Sequence, residues 1–504
     1  MRRIPGTMAT QHPDNALAPY WSKDKNPFIG AYQEMAEAVA CFGDLGAGEY
    51  MWDWEGKHAD AAVIDRLFTE HHDYFAKHQL GRDKFLTFRI PNIWEEKGYN
   101  LMQAMTSILS GEDEARDFNF GQRPLFEVIL PMTERPEQLM RIHKLFQKLA
   151  QFKNADFTKH ETDDNDYLEL IPLVESVESQ LGAAGLLQKY VALHQEHYGY
   201  KPAYIRPFLA CSDSALSSGL LAGAIGNKVA LARLYEFSHK SGIPVFPIAG
   251  PGSLHFRGGL KPSEASVQRF LEELPGVRTV TVQSSFRYDH PLSEVKDAIA
   301  QLEAGLPKTK PLAISRDGQQ TLINIAERSA GFYKHGLDGV AESMQPIFKG
   351  VPKRRDRRQH IGLLAYSRHM GGQELPRAIT FTAGFYSVGV PPEFIGAGRT
   401  LRSLKDNEIG ILRDVYPHLS ADFEAAGRFV NLDNLKKFAA GDDNWKAILE
   451  DVEAVEDIFG IRLGPGSEDE RTHHELSSKL ASAPDKDDPS ELIDKMAALR
   501  KSLG

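Results

Sequence analysis

Residues able to handle charge recur at the ends of short apolar runs in this chain. Glu175 and Asp213 close two consecutive runs, LELIPLVES and YIRPFLACSDS. Two carboxylates with room left for water commonly hold Mg2+ or Mn2+, the substrate completing the octahedron. An acidic residue there can equally cap the helix that follows, so both roles stay open. Arg89, Arg287 and Arg368 end three further runs, and Gln283 lies beside Arg287. A guanidinium buried without an anion costs free energy, and its planar fork matches carboxylate and phosphate oxygens. A structural salt bridge explains one such arginine more easily than three. A third feature is IPVFPIAGPGSLHFRGG at 243–259, where Val245, Phe246 and Ile248 lead into a glycine loop around His255 and Arg257. Glycine lets backbone N–H groups approach an anion closely. The segment reads as an active-site strand end or, equally, as a surface turn. Carboxylates and arginines together suggest a divalent cation and a multiply charged anionic substrate.

These positions need a scaffold that gathers strand ends. Eight β-type runs, at 48–55, 85–92, 125–133, 168–176, 204–214, 243–250, 278–288 and 361–368, alternate with amphipathic helical stretches. Ala59 to His78 and Pro136 to Phe152 show the helical spacing of apolar residues. That alternation predicts an α/β fold, a (β/α)8 TIM-like barrel with additional helices, mainly C-terminal, and an open doubly wound sheet is the competing architecture. Catalytic groups of such barrels collect at the C-terminal strand ends. We expect one catalytic domain over residues 1–504, its barrel core at about 45–400 and a helical part at about 401–504. Leu404 to Tyr416, Leu432 to Ala440 and Trp445 to Phe459 read as helices, Gly464 to Pro489 as an acidic linker or loop, and Ser490 to Leu503 as a terminal helix.

Other features read as bland. His12, in TMATQHPDN, precedes the first run, and its spacing does not separate catalysis from surface. KRRDRR at 353–358 reads as a solvated basic face, and His58, His71, His72, His78, His473 and His474 as surface residues.

Composition bounds the function. The 504 residues carry a net charge of −10, against general nucleic-acid binding but compatible with a local basic pocket. Two cysteines, Cys41 and Cys211, exclude a cysteine metal site and suit a reducing cytoplasm. The start MRRIPGTMATQHPDN has no apolar core of a signal peptide, and polar residues interrupt the apolar stretch Ala215 to Ala232 too often for a membrane span. A soluble protein without membrane partners is expected. No phosphate-binding G-x-x-x-x-G-K-[ST] loop, dinucleotide fingerprint or biotin-carrying Ala-Met-Lys-Met segment is present.

The motifs TQHPDN, MWDWEGK, EVILPMT, LIPLVES, SDSA, GSLHFRGG, TVQSSFRYD and PRAITFTAGFYSVGVPPEFIG run in order over most of the chain. In this the chain resembles the short, archaeal-type phosphoenolpyruvate carboxylases. The resemblance implies a carbon–carbon lyase that joins phosphoenolpyruvate and bicarbonate into oxaloacetate and phosphate with Mg2+ or Mn2+. It implies Glu175 and Asp213 as metal ligands and His12 as general base. It makes His255 and Arg257 catalytic, positioning bicarbonate or CO2 and stabilising the anionic intermediate. Arg89, Arg368 and Arg377 become phosphate-clamping residues, and Gln283 and Arg287 join them around the substrate. A cytoplasmic homotetramer is implied as well. The loop has one Arg-Gly-Gly where the longer enzymes of plants and bacteria have two, which argues against dicarboxylate feedback inhibition. Another metal-dependent lyase or mutase acting on phosphoenolpyruvate or an oxoacid is the alternative enzyme. A non-catalytic assembly protein is the alternative of another class, disfavoured by the intact metal pair.

Overall fold

The computed structural model describes residues 2–22, 28–57, 59–96, 98–157, 166–357, 368–370, 373–482 and 488–504. Eight parallel strands close a barrel: β1 (Thr7–Thr10), β2 (Glu49–Asp53), β3 (Phe85–Arg89), β4 (Glu127–Leu130), β5 (Glu169–Val174), β6 (Phe208–Ala210), β7 (Ile248–Gly250) and β8 (Thr279–Val282). Each pairs with the next, and β1 closes the circle against β8, with Thr7 opposite Val280. The expected (β/α)8 barrel is present.

Successive residues of a strand point to opposite faces, and the core divides accordingly. Met8, Met51, Ile129, Ile171, Leu173, Phe208, Ala210 and Ile248 fill the barrel interior. Their neighbours Ala9, Tyr50, Trp52, Val128, Leu170 and Leu209 face the surrounding helices. Below the apolar layer, at the N-terminal strand ends, Arg206 bonds Glu49 at 2.7 Å, Glu127 at 2.5 Å and Thr279 Oγ1 at 3.0 Å. This ionic layer plugs the bottom of the barrel. Above the apolar layer the interior opens.

A second core joins helices that follow the barrel, from Arg316–Asp338 to Pro489–Arg500, to one face of the barrel helices. The helices expected after residue 404 occur as Asp406–Val415, Leu432–Ala439 and Asp443–Phe459. No described helix is long and apolar enough to cross a membrane.

Five expectations change. The first barrel strand lies at residues 7–10, before the expected core of about 45–400, and the last ends at 282: the first is TMAT, four buried residues with no apolar run to announce it. The run at 361–368 lies outside the described residues except Arg368, which belongs to a small antiparallel hairpin, Arg368–Met370 with Gln373–Leu375. Most of the expected linker after Gly464 is a helix, Glu468–Ser482. In the basic run, Arg355 and Arg357 are buried rather than solvated, because Asp14, Glu34 and Glu37 from distant parts of the chain neutralise them. His473 is likewise buried, against Arg500, whereas His72 and His78 are exposed as expected and His58 lies outside the described residues.

Candidate active site

The C-terminal strand ends frame a cavity of about 460 Å³. Because β1 occupies residues 7–10, His12 follows a strand end and lines the cavity. Next to it, Gln11 Oε1 accepts the backbone N–H of Asp53 at 2.8 Å, tying the ends of β1 and β2 together. Burial first, then the charges of Arg89, Arg377, Arg357 and Arg257, hold the His12 imidazole well below its ordinary pKa. It is therefore neutral near pH 7 and able to accept a proton.

Arg89, the last residue of β3, forms a two-point pair with Asp53 at 2.8 and 2.7 Å and reaches Glu55 at 2.7 Å. Burial opposes its charge, but Asp53 and Glu55 outweigh that and raise its pKa. Glu175 follows β5, and Asp213 lies just past β6 in the helix Ser212–Ser218; both line the cavity. Helix capping does not account for either. Ser176 caps the helix Val177–Tyr198, accepting from Ser179 N at 3.0 Å, and the residue before Ser212–Ser218 is Cys211. Two carboxylates from adjacent strands form a donor set that suits a divalent cation retaining water and substrate ligands. Among the described residues no cluster of three or more His, Cys, Asp or Glu forms a protein-only cage.

β7 ends at Gly250, and the following loop turns Arg257 inward. Its Nε donates to Ser212 Oγ at 3.1 Å, Nη2 to Gln283 Oε1 at 2.9 Å, and Nη1 to the Gly504 backbone oxygen. Gly252 makes room for this: a Cβ there would stand 2.7 Å from the guanidinium carbon. Among the described residues no carboxylate side chain is in ion-pair contact with Arg257. Burial pushes its pKa down to about 10, although Asp213 and Cys211 pull the other way. Arg377, just before the helix Ala378–Ser387, also lines the cavity, as does Gln283 after β8.

A family model described as phosphoenolpyruvate carboxylase matches residues 4–504. The chain belongs to the short, archaeal-type phosphoenolpyruvate carboxylases. The phosphoenolpyruvate carboxylase of Leuconostoc mesenteroides is 53% identical, covering 100% of this chain and 99% of that protein. That of Oenococcus oeni is 51% identical, with 100% and 99% covered. The archaeal enzyme of Methanospirillum hungatei is 36% identical, with 100% of both chains covered.

Of the residues read from the carboxylase motifs, His12, Arg89, Glu175, Asp213, Arg257, Gln283 and Arg377 meet at one cavity. Two do not. Arg287 is fully buried behind the wall, donating to the Thr10 carbonyl at 2.6 Å and to Cys41 Sγ at 2.9 Å, with Glu37 at 3.4 Å. It braces the end of β1 and has no face left for substrate. His255 points out of the barrel mouth, with its Nδ1 2.8 Å from Arg269 Nη1. The Arg368 side chain lies outside the described residues.

Lining groups that local reading missed include Lys57, Arg355 and Arg357. Lys57 stands 5.3 Å from the Trp52 ring centroid and 2.6 Å from Glu34. It sits in the motif MWDWEGK, so the motif carried the signal, but no spacing rule singles out a lysine past a strand end.

Proposed function

We infer that this cavity carboxylates phosphoenolpyruvate with bicarbonate, the reaction implied by the family's name, and that His12 is its general base. The observation that carries the reading is the convergence of a neutral imidazole, two metal-competent carboxylates and several guanidiniums, from residues 12 to 377, on one cavity. Glu175 and Asp213 would hold Mg2+ or Mn2+, which when bound supplies positive charge where the phosphoryl and enolate oxygens develop negative charge.

The chain's own residues then divide the work. Arg89 and Arg377, with Arg368, clamp the phosphate; Arg89 trades part of its contact with Asp53 and Glu55 for phosphate oxygens. A bicarbonate oxygen attacks phosphorus, and the bond from phosphorus to the enol oxygen breaks. The products are carboxyphosphate and the enolate of pyruvate. His12 takes the carboxyphosphate proton, the bond from carbon to the bridging oxygen breaks, and CO2 and phosphate separate. The enolate carbon attacks CO2 to give oxaloacetate. Arg257, held by Ser212, Gln283 and the Gly504 oxygen, stabilises the intermediate in a buried setting where fixed charge is most effective. Gln283 keeps Arg257 aimed.

The active species is read as a cytoplasmic homotetramer, on the strength of the family resemblance; light scattering on the purified chain should give four copies.

The test uses His12→Asn. Oxaloacetate formation should be abolished, while bicarbonate-dependent phosphate release from phosphoenolpyruvate continues, because phosphoryl attack precedes the proton transfer. Carboxylation at the unaltered rate would remove His12 from the mechanism. Products appearing without bicarbonate would remove the carboxylase reading itself.

A further inference from the structure

The loop after β7 carries two side chains that face opposite ways. His255–Arg257 is one turn of 3-10 helix, with three residues to the turn, so positions two apart cannot share a face. Arg257 points to the active cavity. His255 points into a separate cavity of about 60 Å³ whose lining includes Lys228, Arg269, Glu273, Tyr416 and Asp422.

On that outer side one guanidinium grips the loop twice. Arg269, on the helix Glu264–Glu273, donates through Nη1 to His255 Nδ1 at 2.8 Å and through Nη2 to the Gly259 carbonyl at 2.7 Å. Gly259 has φ +67°, and a Cβ there would lie 2.8 Å from His255 Nδ1, so the close approach needs glycine. Arg269 is in turn fixed by an ion pair with Asp422 of the helix Leu419–Gly427, and Asp422 Oδ2 accepts from Tyr416 at 2.6 Å. The loop backbone is held once more where Phe256 N donates to Glu393 Oε1 at 2.9 Å. The helices that follow the barrel thus hold the outer face of the loop whose inner face presents Arg257. His255 Nδ1 faces both Arg269 Nη1 at 2.8 Å and Asp422 Oδ1 at 3.3 Å, and the imidazole serves as a polar spacer against that pair.

We propose that Arg269 and Asp422 are positioning residues for Arg257, and that His255 acts through them rather than on substrate. This rests on the reading of Arg257 as the group that stabilises the anionic intermediate. Displacing a catalytic group by an ångström can cost on the order of a hundredfold. Loosening the clamp should therefore damage the carboxylation half of the reaction more than the binding of phosphoenolpyruvate, whose other arginines stand on separate elements.

The experiment measures oxaloacetate and phosphate separately on the purified full chain with Mg2+. Arg269→Met should lower oxaloacetate kcat by about thirtyfold, with KM for phosphoenolpyruvate changed less than about threefold and phosphate release exceeding oxaloacetate. In the Arg257→Lys background the same substitution should cost less than about threefold more, since both act through one group. His255→Ala should resemble Arg269→Met. His255→Asn, whose amide oxygen can take the place of Nδ1 as acceptor, should restore turnover to within about threefold. Should Arg269→Met not fold, Arg269→Lys keeps a charge beside Asp422 but cannot serve both His255 and Gly259, and should show the same excess of phosphate. Additive losses in the double variant, an unaltered ratio of phosphate to oxaloacetate, or His255→Asn as impaired as His255→Ala would each overturn the proposal. Full carboxylation by Arg257→Lys alone would overturn the reading of Arg257, and the positioning role with it. An impaired Arg257→Lys with additive loss from Arg269→Met overturns the positioning role only.

Discussion

Arg206 and Arg257 are both nearly inaccessible, one at each end of the same barrel. Arg206, below the apolar layer, is met by Glu49 and Glu127. Burial works against its charge, yet the two glutamates raise its pKa above the ordinary arginine value. Arg257, above the layer, bonds a serine hydroxyl, a glutamine amide and a backbone oxygen, and burial pushes its pKa down. The bottom of the barrel is therefore electrostatically complete, and the top is completed by what it binds. A buried pair adds little net stability, but breaking it is expensive, because the abandoned partner stays buried. A buried cation without an ion-paired carboxylate side chain keeps more of its desolvation cost, and an arriving anion offsets part of it.

The largest expected effect is on activity. Arg257→Met should lower oxaloacetate formation by about a thousandfold, the upper range for losing one group that stabilises a developing anion. Its chemical-denaturation midpoint should move much less than that of any variant at the bottom. Arg206→Met should do the reverse. Stranding Glu49, with Glu127 keeping its ion pair with Arg2, should cost about 3–5 kcal/mol in urea unfolding, while kcat of the surviving folded fraction stays near that of the unaltered chain. Adding Glu49→Gln to Arg206→Met should recover most of the loss, because the one charge left without an ion-pair partner is gone.

A weaker effect concerns pH. Burial, then the nearby Glu127 charge, pushes Glu169 at the start of β5 up from 4.5 to about 8. The folded chain keeps a proton there that the unfolded chain releases, so stability falls as pH rises from about 4.5 to about 8 and is level above that. Glu169→Gln should flatten this segment of a stability-against-pH curve. The smallest effect belongs to Thr279→Val, which removes a hydroxyl that donates to the Pro5 carbonyl at 2.7 Å and accepts from Arg206. It should cost about 1 kcal/mol and leave activity unchanged.

Much of the upper rim was legible in the sequence because barrel strands announce themselves locally. The runs VIL of β4 and LIPLV of β5 are apolar on both faces, and Glu175, which follows the second, lines the cavity. β1 was not legible. TMAT owes its burial to β2 and β8 on either side, and its Thr7 hydroxyl is satisfied by Glu303 at 2.7 Å, a partner far along the chain. Missing that strand left His12 without a position, and only the family motif assigned it a role. Arg287, Arg355 and Arg357 escaped for the opposite reason. Their charge suggested ligand or solvent, but the acids that neutralise Arg355 and Arg357 lie more than 300 positions away in sequence. Arg287 is likewise occupied by Thr10, Glu37 and Cys41 from the far end of the chain. The opposite facing of His255 and Arg257 depends on one turn of 3-10 helix, which glycine-rich composition alone does not specify.

The closure of β1 against β8 also sets an order of events on the ribosome. Thr7 emerges first among the barrel residues, and its partner Val280 only after the other seven strands have begun to appear. Contacts between such distant positions are slow to form. The short segment that leads to His12 can pair with β2 early, but its other edge stays open until the last strand arrives. The cavity that brings His12 together with Glu175 and Asp213 is thus complete only once residues near both ends of the chain have met.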